Sequence, residues 1–209
     1  MNQRELGSTV VGVDVGGPKK GFHAVAIQDG QYREKLSTLL VEEVVAWCRR
    51  LKASAVGIDA PRRWSLTSRA RPCERALAAE GLHTFATPSQ AKGAAHPFYR
   101  WMVQGADLYR CLNPDYRLFE GQRSVSDQVC FETFPHAVAC ALARKPLSAG
   151  QKRADRSRLL RKAGVSTEAL MNIDWIDAAL CALAAHHLVM GTIETYGDVA
   201  EGFIVVPQS

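Results

Sequence analysis

Val10-Val11-Gly12-Val13-Asp14-Val15 decides how this 209-residue chain is read, because its pattern Val-Gly-hydrophobe-Asp returns as Val56-Gly57-Ile58-Asp59. Each copy ends a short apolar run with an aspartate, the costliest residue type to leave in a buried strand unless something positive meets it. Working outward, residues 9–15 and 22–28 read as strands joined by the turn Gly16-Gly17-Pro18-Lys19-Lys20, and 31–38 as a third strand after the hairpin signal Asp29-Gly30. Apolar residues at 41, 44, 45, 48 and 51 have the spacing of an amphipathic helix, and 55–59 form a fourth strand stopped by Pro61. A helical crossover lets the fourth strand lie parallel to the first. Both aspartates then sit at the carboxyl ends of parallel strands, where ligands and catalytic groups collect in open α/β sheets.

Beyond Pro61 the pattern predicts helices near 72–80 and 97–111 inside an insertion of about 62–126. A fifth strand follows at 128–133, then helices over 135–144, 153–163 and 174–190, and a closing edge strand at 202–207. The expected architecture is one α/β domain: a mixed five-stranded sheet, with a three-strand antiparallel meander plus parallel strands, flanked by helices and carrying a helical insertion. Its length suits a single core. Hydrophobic residues make up 47% and charged residues 22%, a balance that excludes disordered and fibrous classes. Residues 1–7 are polar and no apolar run approaches the roughly 20 residues of a membrane span, so the expected setting is cytoplasmic, with no membrane partner. Six cysteines at irregular intervals form no C-x-x-C pair and read as reduced core residues.

Four acids stand in apolar company: Asp14, Asp59, Glu132 between Phe131 and Phe134, and Asp177 in Asp174-Trp175-Ile176-Asp177-Ala178-Ala179-Leu180. Asp174 suits a helix N-cap, and an acid at Asp177 is favoured by the helix dipole without any functional role. Clustered, the four would repel and raise one another's pKa unless a divalent cation neutralised them, and hard oxygen donors of this kind suit Mg²⁺ or Mn²⁺. In order, Gly-Val-Asp, Gly-Ile-Asp-Ala-Pro, Phe-Glu-Thr-Phe-Pro, Asp-x-x-Asp-Ala and the closing Glu-Gly-Phe-Ile-Val-Val-Pro resemble a family of predicted nucleases with a ribonuclease H-like fold, over about Val10 to Pro207. The resemblance implies that fold, with Asp14, Asp59, Glu132 and Asp177 as catalytic and metal-binding residues holding two ions. Arg71-Pro72-Cys73-Glu74-Arg75 matches a family segment Arg-x-x-acid in which aspartate is common, and Glu74 stands there in this chain.

The expected function is metal-dependent hydrolysis of nucleic-acid phosphodiesters, two ions activating a water and stabilising the leaving oxygen, with Asp14 bridging them. A net charge of +5 favours polyanionic partners, DNA and RNA alike. Arg62, Arg63 and Arg71, with Arg69 and Arg75, follow Asp59 and would contact phosphate at the mouth of the site. Arg153 and Arg156 belong to a second cluster, in which residues 144–162 carry eight basic residues against the single acid Asp155. His136 lies one turn after Glu132, within reach of proton transfer, although a plain helical role is the stronger reading. Phe98, Tyr99, Trp101 and Tyr109 sit at helical spacings that suit core packing better than base stacking. Gly16 to Gly21 lacks the Gly-Lys-Ser/Thr ending of a phosphate loop. Two rival functions stand beside hydrolysis: a non-catalytic nucleic-acid-binding domain, and a nucleotide-binding phosphotransferase of the actin-like or sugar-kinase type, suggested by Asp14-Val15-Gly16-Gly17. The chain is short for the second. Oligomeric state is left open, a homodimer included.

Overall fold

A computed structural model of the protein describes residues 8–67, 69–122 and 127–208. The polar residues 1–7 and the segment 123–126 of the expected insertion lie outside them. β1 (Thr9–Val15), β2 (Phe22–Gln28) and β3 (Gln31–Thr38) form the antiparallel meander; α1 (Val41–Leu51) then crosses to β4 (Ala55–Asp59), parallel to β1. Next come α2 (Pro72–Ala79), α3 (Gln90–Ala95), α4 (Arg100–Leu112), β5 (Arg117–Leu118) and β6 (Val129–Glu132). The chain closes with α5 (Pro135–Ala143), α6 (Lys152–Lys162), α7 (Ile173–Met190), β7 (Ile193–Asp198) and β8 (Gly202–Pro207). The described residues make an eight-stranded mixed sheet in the order β3-β2-β1-β4-β6-β8-β7, with β5 beside β6.

Five strands and a closing edge strand were expected; β5 and β7 are additional, and the last strand lies elsewhere in the sheet. β5 has two residues, too few to leave a pattern, and β7 carries exposed Glu194, Thr195, Gly197 and Asp198, with Tyr196 alone buried and Ile193 half-buried. β8 is therefore an inner strand, hydrogen-bonded between β6 and β7 rather than closing an edge. Nor is 62–126 an appendage, since α2 packs Cys73 and Leu77 into one core while α4 packs Leu108, Tyr109 and Leu112 into the other.

Strand alternation explains the two cores. Val11, Val13, Val56 and Ile58 face α1 and α4, whereas Val10, Val25, Ile27 and Ala55 face α7. Gly12 and Gly57 lie on the α7 face, and both must lack a side chain: a Cβ at Gly12 would stand 2.0 Å from the Ala182 nitrogen, and one at Gly57 would stand 2.6 Å from the Cys181 oxygen. α7 answers with Ala178, Cys181, Ala182 and Ala185, all buried, so the helix rests on bare sheet. It has the length and apolarity of a membrane span, with mean hydropathy 1.3, yet it lies against β1 and β4 rather than open to its surroundings.

Candidate metal centre

The same parity that brings Gly12 and Gly57 under α7 puts Asp14 and Asp59 on that face, as direct neighbours in the parallel register of β1 and β4. α7 begins above them. Its N-cap is Asn172, whose side chain accepts from the Trp175 amide at 3.0 Å, and not Asp174 as expected. That start leaves Asp174 and Asp177 three residues apart on one side of the helix, turned toward the strand ends.

Two cations meet the four aspartates. Lys20 Nζ donates to Asp174 Oδ1 at 2.5 Å, and Arg156 Nη1 donates to Asp177 Oδ1. Among the described residues Asp14 has no such partner: it is buried, and its Oδ2 accepts no hydrogen bond from them. Burial, then the charge of Asp177, raises its pKa from the ordinary 3.8 to about 7. Asp59 is raised well above the usual carboxylate range by burial and then by Asp14 and Asp177. Asp177 is also raised, burial outweighing the attraction of Arg156. Burial opposes a charge on Lys20, but Asp174 and Asp14 outweigh it, so the ammonium holds its proton more firmly than usual. Among the described residues, these four carboxylates meet only two cations in ion pairs, an acidic excess that divalent cations would offset.

His23, which the sequence reading passed over, adds a nitrogen donor. It is the register partner of Asp14 across the β1–β2 turn, it is buried, and its Nδ1 has no partner. Burial depresses its pKa and keeps the imidazole neutral, as a ligand must be. Ligand atoms of Asp14, His23 and Asp174 lie within 4.8 Å of one another. The pairing of β1 with β2 was the signal that could have found it.

Glu132 is elsewhere. Its register partner is Ile58, so it leaves the sheet from the α4 face, opposite to Asp14 and Asp59. Both its oxygens are committed to Arg71, with Nη2 to Oε1 at 2.5 Å and Nη1 to Oε2 at 2.8 Å, and Oε2 also accepts from the Arg62 amide at 2.9 Å. Arg71 is 1% exposed and also donates Nε to Glu74 at 2.9 Å, while Glu74 caps α2 and accepts from Thr87. The Arg71 reading as a phosphate contact is corrected by this: a guanidinium with carboxylates on both sides and no exposure has no donor to offer. Arg62 is likewise buried, its Nη1 on the Phe119 carbonyl at 3.0 Å. Arg156 faces Asp177 rather than solvent, whereas Arg63 and Arg153 are exposed.

Two clefts meet at Asp59. On the α7 side, one of about 420 Å³ mixes charged and titratable groups, Asp59, Asp177, Arg156, Lys152, His83 and His136, with Phe85, Phe134 and Pro135. Burial, aided by Arg156 and Lys152, depresses the pKa of His136. On the α4 side, a cleft of about 230 Å³ is apolar and includes Val15, Ala60, Phe85, Trp101 and Phe134. Of the aromatic set, Tyr109 is core, its hydroxyl on the Ala60 carbonyl, while Phe98 is exposed. The β1–β2 turn closes on itself, the Gly16, Lys20 and Gly21 amides all bonding to turn carbonyls, so it does not present them to a phosphate.

The model of a protein family described as being of unknown function, DUF429, matches residues 12–201. The chain belongs to the DUF429 family. The matched stretch takes in both glycine-aspartate strands, Glu132, and α7 with its two aspartates. No curated protein matches the chain.

Proposed function

We propose that this DUF429 member is a divalent-cation-dependent hydrolase of nucleic-acid phosphodiesters on a ribonuclease H-like fold, acting in the cytoplasm. The observation that carries the reading is Asp14: a buried carboxylate beside Asp59, at the carboxyl ends of adjacent parallel strands, with one oxygen unpartnered and no cation of its own among the described residues. The strand order β3-β2-β1-β4-β6, antiparallel over the first three and parallel after, supports the fold assignment. Six free cysteines, five of them buried, support a reducing compartment.

Asp14, Asp59 and Asp177 are the oxygen donors that fit Mg²⁺ or Mn²⁺, with His23 and Asp174 beside Asp14 for a second ion; Glu132 drops out of the set because Arg71 holds both its oxygens and it leaves the other face of the sheet. Such ions, when bound, supply an activated water and stabilise the leaving oxygen. The protein's own groups do the rest. Lys152 offers positive charge to the scissile phosphate in the larger cleft while Arg156 holds Asp177, and His136, its pKa lowered there, can accept or return a proton. Exposed Arg63 and Arg153 add attraction for the flanking backbone.

The test is purified protein with Mn²⁺ against single- and double-stranded DNA, RNA, hybrids and branched junctions. Cleavage is expected from wild type and a loss of at least a hundredfold from Asp14→Asn or Asp59→Asn. Cleavage that survives both substitutions, or none by a protein that binds Mn²⁺, overturns the reading.

A further inference from the structure

We infer that the apolar cleft on the α4 side of Asp59 is a nucleobase pocket, and that the hydrolase proposed above therefore acts on an unpaired nucleotide. The inference rests on that reading for its substrate, but its geometry is independent. Asp59, Thr84, Phe85 and Phe134 line both clefts and form the partition between them. On one side stand groups that suit a phosphate, Lys152 and His136; on the other stand Phe85, Trp101 and Phe134, which offer the flat apolar faces on which bases stack. A nucleotide has these two chemistries at its two ends, and one straddling Asp59 would place each in its matching cleft.

Size and exposure agree with this occupant. A volume of about 230 Å³ is below the roughly 300–1,000 Å³ of pockets for drug-sized ligands, which leaves room for one planar ring system. Phe85 is 68% exposed at the mouth and meets Phe98, itself 51% exposed, edge to face at 5.6 Å between ring centroids. Together the two rings present an exposed aromatic surface at the mouth against which a base can lie. Apart from Asp59 on the partition, the charged side chains and the Thr133 hydroxyl inside are already engaged: Arg71 with Glu132, Glu74 with Thr87, and Thr133 with the Val205 carbonyl at 2.7 Å. The pocket therefore stacks a base without reading its edges, and purines and pyrimidines should enter alike. A base in a duplex must be unstacked and unpaired to reach it, so single strands, or splayed nucleotides at junctions and ends, are the favoured substrates.

Trp101 fluorescence, taken as the difference between wild type and Trp101→Phe, reports the pocket without any reaction. Adenosine and uridine, titrated into the metal-free full-length protein, should both quench this signal and ribose should not. Exposed Phe85, replaced in Phe85→Ala, can be removed without unfolding, and should weaken nucleoside binding by about tenfold. In Ca²⁺, single-stranded oligonucleotides should bind more tightly than duplexes of the same sequence, and Phe85→Ala should erase the difference. Absence of Trp101-dependent quenching, equal quenching by ribose, or equal binding of single strand and duplex overturns the inference. Quenching without cleavage of any oligonucleotide removes the hydrolase reading and keeps the pocket; cleavage without quenching removes the pocket alone.

Discussion

Two buried acidic groups flank the ends of β4 and β6, and they are built in opposite ways. At Glu132 and Glu74 a single guanidinium, Arg71, lies between the carboxylates, and every charge has a partner within 2.9 Å. At Asp14 and Asp59 the acids outnumber the bases, and Asp14 Oδ2 has no partner among the described residues. The first arrangement is complete as it stands. The second is stable only if protons or a cation supply what is missing. An acid among apolar residues is therefore ambiguous until its partner is known.

Breaking Arg71 should have the largest effect. Arg71→Ala leaves Glu74 and Glu132 buried without their cation, which costs about 3–5 kcal/mol. Denaturant unfolding should show that loss, while whatever remains folded should keep its cation response, because Arg71 bonds to neither Asp14 nor Asp59. A loss below about 1 kcal/mol would erase the distinction between the two groups.

Asp14→Asn should have the reverse profile. In metal-free protein near neutral pH it should be no less stable than wild type, since it removes an uncompensated buried charge. Wild type at about 100 times the dissociation constant of Mn²⁺ should gain roughly 2.7 kcal/mol, and the variant little. Thermal melts with and without Mn²⁺ measure both; a destabilised metal-free variant with a full cation response would place Asp14 in the same class as Glu132.

A pH series sharpens this further. With a folded pKa of about 7 against an ordinary 3.8, Asp14 keeps its proton in the folded state while the unfolded chain ionises. Its contribution is therefore neutral below pH 3.8, grows increasingly unfavourable as pH rises toward 7, and is constant above. The stability of Asp14→Asn minus that of wild type should climb across this window by at most about 1.4 kcal/mol per pH unit, and added Mn²⁺ should bind less well as pH falls below 7. A flat difference would contradict a raised carboxyl.

How much of this could be read from residues alone follows from the range of each interaction. The two-residue spacing of Gly12 to Asp14 and Gly57 to Asp59 fixes both pairs on one face, and the helix crossover makes the strands parallel, so the heart of the site was legible. Arg71 and Glu74, three apart at the start of α2, carry a local capping signal. Arg71 with Glu132 does not, because 61 residues separate them and only the folded sheet shows that Glu132 points away from Asp14. His23 and Lys20 entered the site through the pairing geometry of the β1–β2 turn, which neither residue's own neighbours reveal. β7 was lost because an edge strand with one buried residue has almost no period to detect.

The smallest effect is expected from the basic helix, and it separates charges that compensate the site from charges that face solvent. The eight cations of 144–162 read as one cluster, but Arg156 is 5% exposed and paired with Asp177, whereas Arg153 is exposed. Arg153→Gln should lower nucleic-acid affinity only a few-fold, equally for all sequences, and reduce the slope of log affinity against log salt by up to about one unit. Arg156→Gln removes the counterion of Asp177 and deepens the acidic excess, so in metal-free protein it should cost more stability than Arg153→Gln and strengthen the response to Mn²⁺. Salt titrations of binding and cation melts of the two variants measure the contrast. Equal salt slopes and equal melts for both would mean that Arg156 is one more solvated charge and that the aspartates of α7 are balanced from elsewhere.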